Sequence, residues 1–247
     1  MADQLEGRNP ILECLQRKRR KVHRLWIDQG ARPDQRIQQI LKFAKDRGVP
    51  VDQVHRNRLD SMADGRVHNG IIARVEELQT WTTRSLLKHL YSEGRDPFLV
   101  LCAALSYEHN FGAVLRSALG MGVDGVILPT RRGASLSPVV QRVAMGAAEE
   151  IPIVREGAYS AIKQLKRDGI RVIGADMRGH SLVDFDLTGP VALLMGGEGK
   201  GLSQQLRNRC DAIVSIPLRG ELESLNVSVA AAILMYEKRR QDGWFAG

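Results

Sequence analysis

Leu194-Met195-Gly196-Gly197-Glu198-Gly199-Lys200-Gly201-Leu202 packs four glycines into six residues, and their spacing restricts what binds there. Without Cβ atoms the loop leaves main-chain N–H groups bare and lets a ligand come close to the backbone. Downstream lie Ile216-Pro217-Leu218 and then Ser224-Leu225-Asn226-Val227-Ser228, which opens an apolar helix. First-turn N–H groups of a helix lack intrahelical partners, so polar residues crowded there suit a ligand contact. The three stretches together point to one binding site near the C-terminus.

Spacing removes two nucleotide-loop readings. A P-loop needs Gly-Lys followed by Ser or Thr, but Lys200 is followed by Gly201. The dinucleotide fingerprint Gly-x-Gly-x-x-Gly, begun at Gly197, meets Leu202 at its sixth position. Gly197-x-Gly199-x-Gly201 is similar to the first motif of Rossmann-type methyltransferases, yet that motif precedes most of its domain, and only 46 residues follow Gly201. The loop therefore belongs to an architecture with its ligand site at the C-terminal end.

Outward from the loop, buried strands alternate with helices from Phe98 onward. Strands are predicted at 98–104, 125–128, 151–154, 171–175, 191–195 and 212–216, and helices at 110–121, 138–147, 158–168, 203–209 and 224–241. This alternation requires a mostly parallel sheet covered on both faces, whose ligands sit at the strands' carboxyl ends. The last helix is apolar almost all round, from Val227 to Met235, so it needs a second partner surface and predicts a homodimer through the C-terminal domain.

Residues 1–76 read as a smaller α/β domain. Helices are expected at 9–18 (Asn9 as N-cap, Pro10 first), 34–47 and 56–62, and strands at 23–27, 49–54 and 70–75. Residues 77–96 are polar, contain one amphipathic helix at 86–91, and form a linker to the domain at 97–247. Of the net charge of +8, residues 1–76 carry +6, from 16 Lys/Arg against 10 Asp/Glu. The run Arg17-Lys18-Arg19-Arg20-Lys21 concentrates it, so a polyanion such as nucleic acid is the natural partner, and a solvated helix end the plain alternative.

The 43% hydrophobic and 26% charged composition is that of a folded soluble chain. The start lacks a secretory apolar core, and no segment reaches the ~20 apolar residues that span a bilayer. Cys14, Cys102 and Cys210 are odd in number and widely spaced, which fits reduced thiols in the cytoplasm rather than a disulfide framework. Neither these cysteines nor the six histidines show paired metal spacing, so no metal is expected.

Taken in order, Asn110-Phe-Gly-Ala-Val-Leu-Arg116-Ser-Ala118, Leu194–Leu202 through Ile216-Pro217, and Ser224-Leu-Asn-Val-Ser-Val-Ala230 resemble the three motifs of the SpoU/TrmH family of RNA ribose 2'-O-methyltransferases. Glu6-Gly-Arg-Asn-Pro-Ile-Leu-Glu13 and His68-Asn-Gly-Ile-Ile-Ala73 are similar to the ends of the small ribosomal-protein-like RNA-binding domain of members that modify a guanosine of large-subunit (23S) rRNA. Two departures stand out: Tyr107-Glu108-His109 where the family often has Asp-Pro, and Asn69 where Gln is commoner.

The resemblance implies a knotted trefoil domain of the SPOUT class, S-adenosylmethionine as methyl donor and RNA as substrate. It implies Arg116, Asn110, Glu198, Ser224 and Asn226 as catalytic residues. It also implies Met195, Gly196, Gly197, Gly199, Ile216, Pro217, Leu218, Leu225, Asn226 and Ser228 around the cofactor. Arg8, Arg17, Lys18, Arg19, Arg20, Lys21, Arg131 and Arg132 are the expected RNA contacts. Because a guanidinium stays protonated, Arg116 is read as binding the phosphate beside the target ribose and polarising its hydroxyl, ahead of a role as base. A transfer RNA substrate, or a catalytically silent RNA-binding assembly factor, are the competing readings.

Overall fold

The computed structural model describes residues 2–31, 34–105, 107–130, 136–197, 201–220, 222 and 224–245. Contacts divide the chain into two compact units: residues 1–79 with 135–150, and residues 80–134 with 151–247.

The first unit begins with β1 (Ala2–Glu6), α1 (Arg8–Arg17), β2 (Val22–Asp28), α2 (Gln35–Asp46), β3 (Val51–Val54), α3 (Arg56–Ala63) and β4 (Ile71–Glu76). Its sheet has the order β1-β4-β2-β3, antiparallel except for the β2–β3 pair. Sequence pattern alone does not find β1, because its polar residues mask the strand; Glu6 is fully buried and is paired with Arg66 at 2.9 Å. Helix α1 starts at Arg8 with Gly7 as N-cap at φ 98, so Asn9 lies in the first turn and does not cap it. Leu5, Ile11, Leu15, Leu25, Ile40, Ile71 and Ala73 form the core between sheet and helices.

The second unit runs through α4 (Thr83–Ser92), β5 (Phe98–Cys102), α5 (Glu108–Gly120) and β6 (Gly125–Leu128). After α6 (Pro138–Val143), which packs with the first unit, it resumes with β7 (Ile153–Arg155), α7 (Ala158–Arg167) and β8 (Arg171–Ser181). β9 (Val191–Met195), α8 (Gln204–Arg207), β10 (Ala212–Ser215) and α9 (Val227–Gln241) complete it. The sheet order is β10-β8-β9-β5-β6-β7 and every pairing is parallel. β5 and β9 are buried along their whole length, as unbroken apolar strands covered on both faces must be. β8 continues six residues past its expected end at Ala175, and its register against β10 shifts between Ile213 and Val214.

The segment 135–150 belongs to the first unit, although in sequence it looks like one more helix of the strand–helix rhythm. Arg20 and Glu149 explain why: their side chains are 2% and 1% exposed and form an ion pair, with Arg20 also donating to Gln141 Oε1 at 2.6 Å, Asp3 Oδ2 at 2.9 Å and the Glu76 carbonyl at 3.0 Å. Burial pushes the Glu149 carboxyl above the usual carboxylate range, against the pull of the Arg20 charge. A periodicity cannot reveal which sheet a helix packs on, whereas a buried ion pair decides it.

Helix α9 buries Ala231, Leu234 and Met235, while Val229, Ile233 and Tyr236 on its other side are 47%, 36% and 50% exposed. The chain by itself thus covers only one face of a helix that is apolar on both. Among the described residues, no helix is long and apolar enough to cross a membrane.

Candidate functional site

β9 and β10 end at one cleft of about 620 Å³, along which the middle of β8 also runs; its volume is within the size range of small-molecule sites. Ala175 to Arg178, Met195 to Gly197 and Val214 to Ile216 supply its base, and Leu218, Ser224 to Val227 and the first turns of α5 and α9 close it. This is the carboxyl edge of a parallel sheet, where the two crossing directions leave a crevice.

The glycine loop is shaped by its main chain. Gly197 and Gly201 exchange both backbone N–H···O bonds, each 3.1 Å, and so bracket residues 198–200. A Cβ on Gly196 would stand 2.4 Å from the Gly201 carbonyl carbon and 2.7 Å from the Leu202 nitrogen, so backbone packs where a side chain would go. Gly201 has φ +59, and a Cβ there would meet Asp176 Oδ2 at 3.0 Å.

Asp176 is nearly buried, with 4% side-chain exposure, and pairs with Arg207 at 2.5 Å. Arg207 Nε also donates to the Leu202 carbonyl at 3.2 Å, so one guanidinium ties the end of the glycine loop to β8. Across the cleft, Asn226 Nδ2 donates to Asn110 Oδ1 at 3.0 Å, while Asn226 Oδ1 accepts from the Ser228 N–H at 2.9 Å and the Ser228 hydroxyl at 2.7 Å. Asn226 therefore caps α9 and joins it to α5 at once. Asn110 does not cap its own helix, because α5 begins at Glu108 and leaves it within the first turn.

Of the expected site residues, Asn110, Met195, Gly196, Gly197, Ile216, Leu218, Ser224, Leu225 and Asn226 converge on this cleft. Pro217 and Ser228 do not line it, and the Ser228 donors are spent on Asn226. Arg116 is exposed and also lies outside the lining. It follows Asn110 by six residues, roughly 1.7 helical turns, which carries it off that face of α5. Glu198, Gly199, Arg131 and Arg132 fall outside the described residues. Tyr107, Asp176 and Arg207 line the cleft without having been foreseen; the strand expected at 171–175 already put Asp176 just past its end, where the sheet rule looks for ligands, and that signal could have found it.

The basic run divides on folding. Arg20 is withdrawn into the first unit's buried ion pair and is no surface contact. Arg17 pairs with Glu150, and Arg8 with Asp34. Lys18, Arg19 and Lys21 remain exposed around a cleft of about 810 Å³ that also holds Arg47.

The second unit's cleft offers glycine main chain, apolar walls from Leu225, Val227 and Leu234, and one carboxylate already paired with an arginine. That combination suits a flat heterocycle with a hydroxylated, zwitterionic tail rather than a polyphosphate. Burial pushes the Cys102 thiol, on the strand beside Met195, up to about 12, which leaves no thiolate there to act as nucleophile.

Comparison with known proteins agrees with this geometry. Residues 97–236 match the SpoU rRNA Methylase family, and residues 4–81 match the RNA 2'-O ribose methyltransferase substrate binding family. The chain is 35% identical to the 23S rRNA (guanosine-2'-O-)-methyltransferase RlmB of Pseudomonas putida, over 97% of this chain and 96% of that protein. It is 38% identical to RlmB of Coxiella burnetii, over 90% and 88% of the two chains. Among solved structures, the SpoU methyltransferase AviRb of Streptomyces viridochromogenes in complex with AdoMet superposes with a TM-score of 0.81 at 26% identity, covering 97% of this chain and 89% of that one. With a cleft built from the three motif stretches and matches that run nearly end to end, the chain belongs to the SpoU rRNA methylase family.

Proposed function

We propose that the protein transfers a methyl group from S-adenosylmethionine to the 2'-hydroxyl of a guanosine ribose in 23S rRNA. The observation that carries this reading is the convergence of the loops at Met195–Gly197, Ile216–Leu218 and Ser224–Asn226 on one strand-end cleft, in a chain 35% identical to an RlmB over nearly its full length. When bound, the cofactor supplies a sulfonium-activated methyl group. The residues present fit it: Gly196 and Gly197 line the cleft with main chain alone, in a turn that Gly196 allows by leaving room for the Gly201–Leu202 backbone, and Leu225 and Leu234 give the base an apolar wall.

Ser224 and the Asn110–Asn226 pair stand at the cleft mouth, where they orient the acceptor nucleotide. Arg116 has no partner among the described residues and is free to take the phosphate beside the target ribose, polarising its hydroxyl. Glu198 acts as its counter-charge or accepts from a substrate hydroxyl. Lys18, Arg19 and Lys21 attract the RNA, together with Arg131 and Arg132. A trefoil knot threads the cofactor loops. The uncovered side of α9, with Val229, Ile233 and Tyr236, and the stacked Tyr236 and Phe245 rings at 4.9 Å, pair two copies in the cytoplasm.

The test is methylation of in-vitro transcribed 23S rRNA with labelled S-adenosylmethionine, followed by mapping of the ribose. Incorporation at one guanosine is expected; incorporation into transfer RNA alone, or none, defeats the reading. Arg116→Lys keeps the charge but loses the planar fork, so turnover should fall on the order of a hundredfold while cofactor affinity holds. Near-normal turnover in that variant would remove Arg116 from its role.

A further inference from the structure

The first unit contains a second basic cleft, of about 560 Å³, that the run at residues 17–21 does not reach. Arg8, Arg36, Arg56 and Arg142 line it with the amides of Asn9 and Asn69, and Asp28 is its single acidic residue among those described. Two of the guanidiniums are pre-placed. Arg8 is held by Asp34 and by the Asn69 carbonyl at 3.3 Å, and Arg142 by the Val67 carbonyl at 2.7 Å. An arginine carries five N–H donors, so each keeps donors for a ligand.

The wall between them is a built turn. His68 is 2% exposed, its Nε2 lies 2.8 Å from Asp60 and its Nδ1 accepts the Gly70 N–H at 3.1 Å. This fixes Asn69 at φ 50 with its side chain exposed at the cleft. Arg36 is exposed, and Arg56, 66% exposed, comes no nearer than 3.8 Å to Asp28, so both charges are available.

We propose that this cleft holds the phosphate backbone of the RNA substrate, and that Arg142, from the segment between β6 and β7, completes it. The proposal rests on the RNA-methylation reading above and adds where the first unit grips. Guanidinium forks match phosphate oxygens in pairs, while the two asparagine amides supply donors and acceptors for ribose or base edges. Residue 142 lies far outside the 4–81 stretch that matches the substrate-binding family, so the RNA surface draws on both matched regions of the chain.

The experiment measures binding of the full-length protein to in-vitro transcribed 23S rRNA across a salt series. Arg36→Ala, Arg56→Ala and Arg142→Ala are each expected to weaken binding roughly threefold to tenfold and to lower the salt slope by about one, with S-adenosylmethionine affinity by calorimetry unchanged. Should Arg142→Ala lose its fold with the Val67 bond, the exposed Arg36 and Arg56 decide alone. Wild-type affinity and slope in the Arg36/Arg56 double variant would overturn the proposal. So would a loss confined to a Lys18/Arg19/Lys21→Ala variant, or competition by duplex DNA as effective as by RNA. A wild-type protein that binds 23S rRNA through these arginines without methylating it would defeat the functional reading and leave the cleft standing.

Discussion

The two units build their clefts by opposite means. In the second unit the cleft is shaped by close backbone packing: Gly196 and Gly201 sit where side chains cannot, and strand ends and helix starts supply its walls. In the first unit the clefts are made of guanidinium and ammonium groups on helix ends and turns. Backbone gives shape at fixed geometry and tolerates no added atom, whereas a charged surface loses affinity by degrees, one contact at a time. A small cofactor needs the former; a long polyanion, met at many points, is served by the latter.

Arg20→Ala tests this contrast most severely, because here the first unit behaves like a core rather than a surface. Removing one partner of a buried pair should cost about 3–5 kcal/mol in urea unfolding, since Glu149 would be left buried without its counter-charge and its hydrogen-bond donor. Replacing both, as Arg20→Met with Glu149→Leu, should return most of it. If Arg20→Ala were as mild as a surface change, the segment 135–150 would not be anchored by that pair.

Gly196→Ala should come next: with backbone atoms 2.4 Å and 2.7 Å from the new methyl, cofactor affinity by calorimetry should fall at least about a hundredfold, with RNA binding intact. Equal loss of both would show that the loop is not a separable backbone device. The smallest effect belongs to Asp176→Asn, which keeps the shape but removes the charge facing Arg207; cofactor affinity should drop about tenfold and overall stability by less than for Arg20→Ala. An unchanged affinity would mean that the Asp176–Arg207 tie does not position the loop.

Much of this was legible in the chain. The strands at 125–128 and 191–195 lie where the pattern put them, because unbroken apolar runs bounded by turns admit few alternatives. Asn110, Met195, Gly196, Ser224 and Asn226 reach one cleft because the three motifs mark strand ends and helix starts. Other features were illegible for stated reasons. β1 hides behind Glu6, whose charge is neutralised only by distant Arg66, and the extension of β8 depends on β10, which arrives some thirty residues later. Arg20 looked like its four neighbours in a basic run, and nothing local distinguishes the one that meets Glu149 from the rest.

By itself, the sequence determined the alternation of strands and helices, the glycine loop's refusal of phosphate-loop and dinucleotide spacing, and the concentration of positive charge in the first 76 residues. These are local properties, set by period, by the absence of Cβ atoms and by formal charge. Tertiary structure alone decided that residues 135–150 pack with the first unit, that Arg20 is buried while Lys18, Arg19 and Lys21 are exposed, and that Arg142 joins Arg8 in one cleft. Each of those depends on partners more than 100 residues away in the chain, as between Arg20 and Glu149, and a charge's environment is fixed only when the chain has brought its partner to it.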